Sequence, residues 1–331
     1  MGGDFAPQAT VAGALLALGE LDSAHTIQLI GRSAIIAEQL DTLLRGEFAA
    51  MTSQRTRIDI IDAPDVIEMS DKPSAVRSKP NSSMMIGLKL QASGKSDAFV
   101  SAGNTGAQMA ASMVVLRLHA GLKRPAIATT FPTARKPVIV LDSGANVDCS
   151  ADELVQFARL GIVYAEDILG RDNPAVGLLN IGEEPEKGNA AVKEAHQLLQ
   201  SAGLNFVGNV EGRDLPNGQC DRGPIDVVVC DGFVGNVVLK FYEAISPFIM
   251  RLLTESGLDE KTMKAALKQL DYSEHGGAPL LGVNGVSIIS HGKSSPRAIM
   301  NAIKVAVRAI ESRMDEHIGR RLKDGAGAGA A

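Results

Sequence analysis

Asp97-Ala98-Phe99-Val100-Ser101-Ala102-Gly103-Asn104-Thr105-Gly106-Ala107 is the stretch that decides the fold. A short apolar run ends in a small-residue loop that feeds directly into a helical segment, 106–118. Gly103 and Gly106 allow the close backbone approach such a loop needs, and the opening turn of the helix offers unpaired N–H donors and the positive end of its dipole. Phosphate is the expected occupant. A glycine-containing strand-to-helix turn also arises for geometric reasons alone, so the motif gains weight only from its repetition.

Outward from this loop, Val/Ile-rich runs alternate with longer amphipathic segments. Strands are predicted at 26–31, 58–61, 97–102, 126–130, 138–142, 176–181, 206–210, 227–230 and 286–290. Helices are predicted at 8–18, 33–44, 84–92, 106–118, 151–169, 188–201, 234–255, 259–270 and 296–314. The last starts at Ser295-Pro296, a cap followed by proline at the first helical position. This alternation is the pattern of an α/β protein with a mostly parallel sheet covered on both faces. No fixed-period repeat is visible. The chain reads as one domain, 1–321, followed by a disordered Gly/Ala tail, 322–331.

The 331 residues carry 45% hydrophobic and 4% aromatic residues, enough for a large core of Ala, Val, Ile and Leu. A formal charge of −5, with no long Lys/Arg cluster, argues against nucleic acid as a partner. Three cysteines, Cys149, Cys220 and Cys230, lack Cys-x-x-Cys spacing, which points to a reducing cytosol rather than a disulfide framework or a cysteine zinc site. The N-terminus has no signal-peptide pattern, so any membrane contact is expected to be peripheral.

Three further strand ends have the same construction as the first. They are Val140-Leu141-Asp142-Ser143-Gly144-Ala145-Asn146, Leu179-Asn180-Ile181-Gly182 leading to Lys187-Gly188-Asn189, and Val229-Cys230-Asp231-Gly232-Phe233-Val234-Gly235-Asn236. Ligands in open α/β sheets bind outside the carboxyl ends of the strands, so the four loops are expected to line one crevice. Each residue has a plainer alternative: Asp142 and Asp231 as helix caps, Asn104, Asn146 and Asn236 as turn ligands, Lys187 as a surface charge. Asp142, Asp148 and Asp231 sit among Asn, Ser and Gly rather than in an acidic cluster, which disfavours a metal. No cofactor is expected. His291, at the end of the 286–290 strand, fits a polar loop residue better than a general base.

These segments together resemble the bacterial phosphate acyltransferases of phospholipid synthesis. The resemblance is carried by Met1-Gly2-Gly3-Asp4-Phe5-Ala6-Pro7, Asp71-Lys72-Pro73 with Arg77, Ser82-Ser83-Met84, Ser101–Ala107, Gly144–Asp148, Glu186–Asn189, Asp231–Asn236 and the run from Gly276 to Gly292, in that order. It implies a three-layer α/β/α, Rossmann-like fold similar to phosphotransacetylases and isopropylmalate dehydrogenases, with a protruding helical hairpin, 234–281. It implies transfer of a long-chain acyl group from acyl carrier protein to inorganic phosphate. Phosphate oxygen would attack the thioester directly, without a covalent enzyme intermediate. In that reading Gly103, Asn104, Thr105, Gly106, Asn146, Asn189 and His291 bind phosphate or thioester. Lys187 and Asn236 stabilise the nucleophile or oxyanion, and Asp231 orients donors or holds Lys187. The family also has a short strand just before Met-Gly-Gly-Asp; the numbering here starts after it, so part of the sheet beside the first glycine turn is expected to lie uncovered.

The resemblance further implies a homodimer, a functional link to the acyl-phosphate:glycerol-3-phosphate acyltransferase, and a cytoplasmic protein in peripheral contact with the membrane through Met250, Leu252, Leu253 and Leu258. The segment Val237–Leu253 is apolar on more than one face and contains Pro247, more than a single core-facing stripe requires. Two alternatives stay open: a short-chain phosphotransacetylase acting on acyl-coenzyme A, and a non-catalytic acyl-carrier or membrane scaffold.

Overall fold

Ser82, Asn104, Ser150, Asn189 and Ser295 each have extended ψ angles, and each accepts, through its side-chain oxygen, the backbone N–H three residues on. Five helices thus begin at short polar side chains that satisfy an otherwise orphaned donor. Ser150 and Glu153 form a reciprocal capping box, and Gly170 ends the same helix in the left-handed conformation.

The computed structural model describes residues 1–255 and 276–328. Along the chain the strands are β1 (Ile27–Gly31), β2 (Ile58–Asp62), β3 (Ala98–Ser101), β4 (Ala126–Ile127), β5 (Thr129–Phe131), β6 (Val138–Leu141), β7 (Val176–Asn180), β8 (Phe206–Glu211), β9 (Gln219–Cys220), β10 (Gly223–Pro224), β11 (Val227–Val229), β12 (Ala278–Leu281) and β13 (Val286–Ile289). The chain divides into two units, Met1–Leu118 with Ser273–Asp315, and His119–Tyr272 with Glu316–Ala331.

In the first unit β1 pairs parallel with β2, and β3 pairs parallel with β13, which pairs antiparallel with β12. The helices Gln8–Glu20 and Ser33–Arg45 bury Leu15, Leu18, Ile36 and Leu40 against β1 and β2. No ladder joins β1 to β3. Residues 26–30 and 97–102 instead line a cavity of about 330 Å³, closed on its flanks by Ile299, Ile303 and Ala306 of the helix Pro296–Glu311.

The second unit carries a five-stranded sheet in the order β5-β6-β11-β7-β8. Pairing is parallel except between β5 and β6. Val138, Ile139, Val140, Leu141 and Val227, Val228, Val229 are each 0% exposed, as strands covered on both faces must be. The helix Ala151–Leu169 covers one face.

Several boundaries differ from the sequence reading. The 126–130 strand divides into β4 and β5, because β5 folds back through Pro132–Pro137 to pair antiparallel with β6. β12 was not expected: it is four residues long and holds Pro279, which argues against a strand until the hairpin with β13 is formed. The 296–314 helix stops at Glu311, Arg313 takes a positive φ of 55°, and a new helix runs Met314–Ala328. That helix takes in most of the segment read as a disordered tail. Buried Ile318 and Leu322, one turn apart, hold it, together with His317 on Asp167 at 2.8 Å and Arg321 on Glu166 at 2.7 Å. The second helix of the expected hairpin, 259–270, and residues 329–331 lie outside the described residues.

Candidate active site

Strand order brings the polar loops of the second unit together. β6, β11 and β7 are adjacent and parallel, so the loops that leave their carboxyl ends, 142–146, 230–236 and 181–189, emerge at one end of the sheet. Three of the four expected loops therefore share an edge. The fourth, 102–106, belongs to the first unit, where it leaves β3 beside the loop 290–294 that follows β13 and carries His291.

Loop 142–146 is built around Asp142, which is fully buried. Its Oδ1 accepts the N–H groups of Ile127 (3.0 Å), Ala145 (3.1 Å) and Gly144 (3.3 Å). Its Oδ2 accepts Asn146 N (2.6 Å) and Asn146 Nδ2 (2.9 Å). Burial pushes the Asp142 carboxyl above its ordinary value, against the opposing pull of these donors. Asn146 Nδ2 also donates to Pro125 O at 2.8 Å, so this residue holds the loop. Asp142 was read from sequence only as a cap or metal ligand. The signal that it does more is its place, at the strand terminus with four small or amide residues following.

Loop 230–236 packs onto that hub. Gly232 N donates to Asn146 O at 2.7 Å, Asp142 N donates to Cys230 O at 2.9 Å, and Asp231 Oδ1 caps Val234 N at 2.8 Å. A Cβ at Gly235 would lie 1.9 Å from Asp142 O, so only glycine fits there. Gly144, at φ +129°, lies so that a Cβ would meet Asn236 at 3.4 Å. The first turn of the helix Gly232–Glu255 is thereby fixed, with the Asn236 side chain exposed beside it.

In loop 181–189, Asn180 Nδ2 holds Lys187 O at 3.0 Å and Lys187 N donates to Glu184 O at 3.1 Å. The Lys187 side chain is exposed, and its ammonium makes no hydrogen bond or ion pair among the described residues. Asp231 does not pair with it; its carboxylate is turned to the helix end instead. Asn189 Oδ1 caps Val192 N at 2.9 Å while the residue stays exposed.

In the first unit, Asn104 is buried with both polar atoms engaged. Oδ1 accepts Ala107 N at 2.9 Å, and Nδ2 donates to Glu68 O, Met69 O and Asp71 O at 3.4, 3.0 and 2.8 Å. Its side chain ties two loops and has no donor left for a ligand. Gly103 is buried and Gly106 half-buried against Pro73, while Thr105 and His291 are exposed. His291 Nδ1 accepts Lys293 N at 3.1 Å, which makes it an acceptor and leaves any proton on Nε2.

Neither nearby cysteine is disposed to act as a nucleophile. Burial pushes the Cys149 thiol up to about 12, with Asp142 adding to it, and drives buried Cys230 well above its ordinary value. Among the described residues no group of three His, Cys, Asp or Glu side chains is placed to hold a metal ion. The exposed Lys187 ammonium and Asn236 amide, with the Phe233 N–H left over in a first turn whose Gly232, Val234 and Gly235 N–H groups are engaged, are instead suited to a small anion or a developing oxyanion.

Along the helix Gly232–Glu255, Phe233, Val237, Phe241, Phe248 and Leu252 stand exposed, a stripe at helical spacing. By length and composition alone this helix is apolar enough to cross a membrane. Met250 and Leu253 are half-buried, and Leu258 lies outside the described residues.

Residues 1–317 match the family model described as fatty acid synthesis protein. A phosphate acyltransferase of Desulfitobacterium hafniense is 46% identical over 334 residues, covering 97% of this chain and 96% of its own. One from Moorella thermoacetica is 43% identical over 331 residues, covering 96% and 93%. Among solved structures, the EutD phosphotransacetylase from Staphylococcus aureus is similar with a TM-score of 0.55 at 14% identity, over 92% of this chain and 99% of that one. A phosphotransacetylase from Streptococcus pyogenes gives 0.55 at 14%, over 91% and 98%. These two carry the fold class, three-layer α/β/α. The family match and the near-full-length relatives carry the rest: the chain belongs to the phosphate acyltransferase family of fatty acid synthesis proteins and is an acyltransferase.

Proposed function

We propose that this enzyme transfers a long-chain acyl group from acyl carrier protein to inorganic phosphate, releasing acyl phosphate for acylation of glycerol-3-phosphate. The observation that supports it best is the unpaired Lys187 ammonium at the same sheet end as the first turn of Gly232–Glu255 and the exposed Asn236. A phosphate oxygen forms a bond to the thioester carbonyl carbon, the carbonyl electrons move onto oxygen, and their return breaks the C–S bond. The carrier's thiolate leaves with the electron pair and takes a proton from solvent. Phosphate is largely anionic near neutral pH and needs orientation more than activation, so no strong base is required. Lys187 and the helix N-terminus hold phosphate or the oxyanion, Asn236 donates to the same charge, and Asp231 and Asn189 keep the two helix starts in place.

The decisive experiment follows thiol release with and without phosphate, using long-chain acyl carrier protein and acetyl-coenzyme A as donors. Phosphate-dependent release from the carrier protein alone is the expected result. Preference for acetyl-coenzyme A would make the enzyme a short-chain phosphotransacetylase, and carrier binding without release would make it a scaffold.

We further propose a homodimer that covers part of the exposed stripe on Gly232–Glu255, and a cytoplasmic enzyme in reversible contact with the bilayer surface near Leu252 and Leu253. Glu255 beside that tip opposes anionic lipid, so binding is modest. Changing Leu253 and Leu258 together to Glu should abolish vesicle co-sedimentation while leaving the dimer and soluble turnover intact; unchanged co-sedimentation would reject the tip.

A further inference from the structure

The Asp142 side chain never reaches the exposed face of its loop, yet the groups proposed to act on phosphate are built on it. Its two oxygens gather five N–H donors from Ile127, Gly144, Ala145 and Asn146. An ionised carboxylate accepts at both oxygens and suits such a cradle; a neutral acid or an amide would turn a donor against donors. The cradle in turn presents Asn146 O to Gly232 N at 2.7 Å and sets Gly144 against Asn236. Asp142 O also lies against the Gly235 backbone, where no side chain fits. Asp231 caps Val234 N within the helix end itself, while the contacts that seat the first turn of Gly232–Glu255 on the neighbouring loop run through Asp142 or through the loop it holds.

We infer that Asp142, as a buried carboxylate, is the positioning residue for the phosphate-facing donors of helix Gly232–Glu255 and Asn236. The inference rests on the proposed reading of that helix end as part of the phosphate site. Asp142 touches no substrate. It determines where Asn236 and the Phe233 N–H stand, and its effect therefore falls on phosphate rather than on the acyl donor.

The test is Asp142→Asn, with folding followed by far-UV circular dichroism and steady-state kinetics run against each substrate separately. Expected are a rise in the phosphate KM of at least about tenfold and a fall in kcat on the order of 100-fold, with the acyl-donor KM within about twofold of the parent. A merely structural role would scale the maximal rate with the folded fraction and leave both KM values in place, and that result would overturn the inference. Should Asp142→Asn fail to fold, Asn146→Ala removes one of the five donors and keeps the charge; it should raise the phosphate KM severalfold, and an unchanged phosphate KM would equally reject the idea. Asn236→Ala separates the two levels. If it leaves phosphate kinetics untouched, the site reading fails; if it impairs them while the Asp142 and Asn146 variants do not, only the positioning role fails.

Discussion

Loop 102–106 of the first unit and loop 230–236 of the second share a plan, a strand end, a capping side chain and a helix, but they spend their polar atoms differently. Asn104 caps Ala107 N and sends its amide nitrogen to three carbonyls of residues 68–71. Asp231 only caps Val234 N, and the amide five residues later, Asn236, stays exposed. The same contrast separates Asn146, which is buried and doubly engaged, from Lys187, which is exposed and unpaired. A polar residue at a strand end is thus either a builder or a donor left over for a ligand, and its neighbours decide which.

That division breaks most visibly in the variants of the free donors. Lys187→Ala and Asn236→Ala should each lower phosphate-dependent thiol release on the order of 100-fold or more, with melting temperatures close to the parent. Activity within tenfold for both would put the reacting groups elsewhere.

Next in size is the builder of the first unit. Asn104→Ala strands three carbonyls and removes a cap, which should cost about 1–3 kcal/mol and lower the melting temperature by several degrees. Turnover per folded molecule should change less than in the Lys187 variant. A normal melting curve with a collapsed rate would mean that Asn104 serves the substrate directly.

The segment Asn104 holds carries its own acid sensitivity. Asp71 accepts Lys79 Nζ at 2.6 Å and Glu68 N at 2.8 Å, and the Lys79 contact, then the Glu68 N–H, hold its carboxyl below the usual aspartate value. A carboxyl lowered in the fold stabilises it above the unfolded pKa, and that contribution is lost as pH falls through the folded value. The parent should therefore lose more melting temperature than Asp71→Asn between about pH 5 and about pH 2. Parallel curves for the two proteins would show that the ion pair contributes nothing.

Smallest of all is the expected effect of the double change Cys149→Ala/Cys230→Ala, which should keep turnover within about threefold, because both thiols are held protonated by burial. A trapped acyl-cysteine would overturn direct attack by phosphate.

Much of this molecule is legible in its sequence. Helix 151–169 and the strands ending at Ser101, Leu141, Asn180 and Val229 follow from apolar runs cut off by Gly, Asn and Asp. β12 escapes because a four-residue strand containing Pro279 has no local signature; antiparallel pairing with β13 creates it. The helix Met314–Ala328 escapes because its Gly/Ala end looks unstructured, while His317 and Arg321 find Asp167 and Glu166 about 150 residues away. The site divides in the same manner. Local sequence places Asn104, Asn146, Asn189 and Asp231 at strand ends, but the choice between builder and donor depends on residues 68–71, Pro125 and Asp142, which only the fold brings near.

The cavity of about 330 Å³ between β1 and β3 belongs to the first unit. Empty volume is eliminated when a chain unfolds into water, so a unit that holds more of it has the more negative volume change of unfolding. Hydrostatic pressure consequently acts unevenly on this protein. Compression should loosen the packing around Leu29, Phe99 and Ile299 at lower pressure than the sheet of Val138–Leu141 and Val227–Val229, whose residues are each 0% exposed, with amide hydrogen exchange under pressure as the readout.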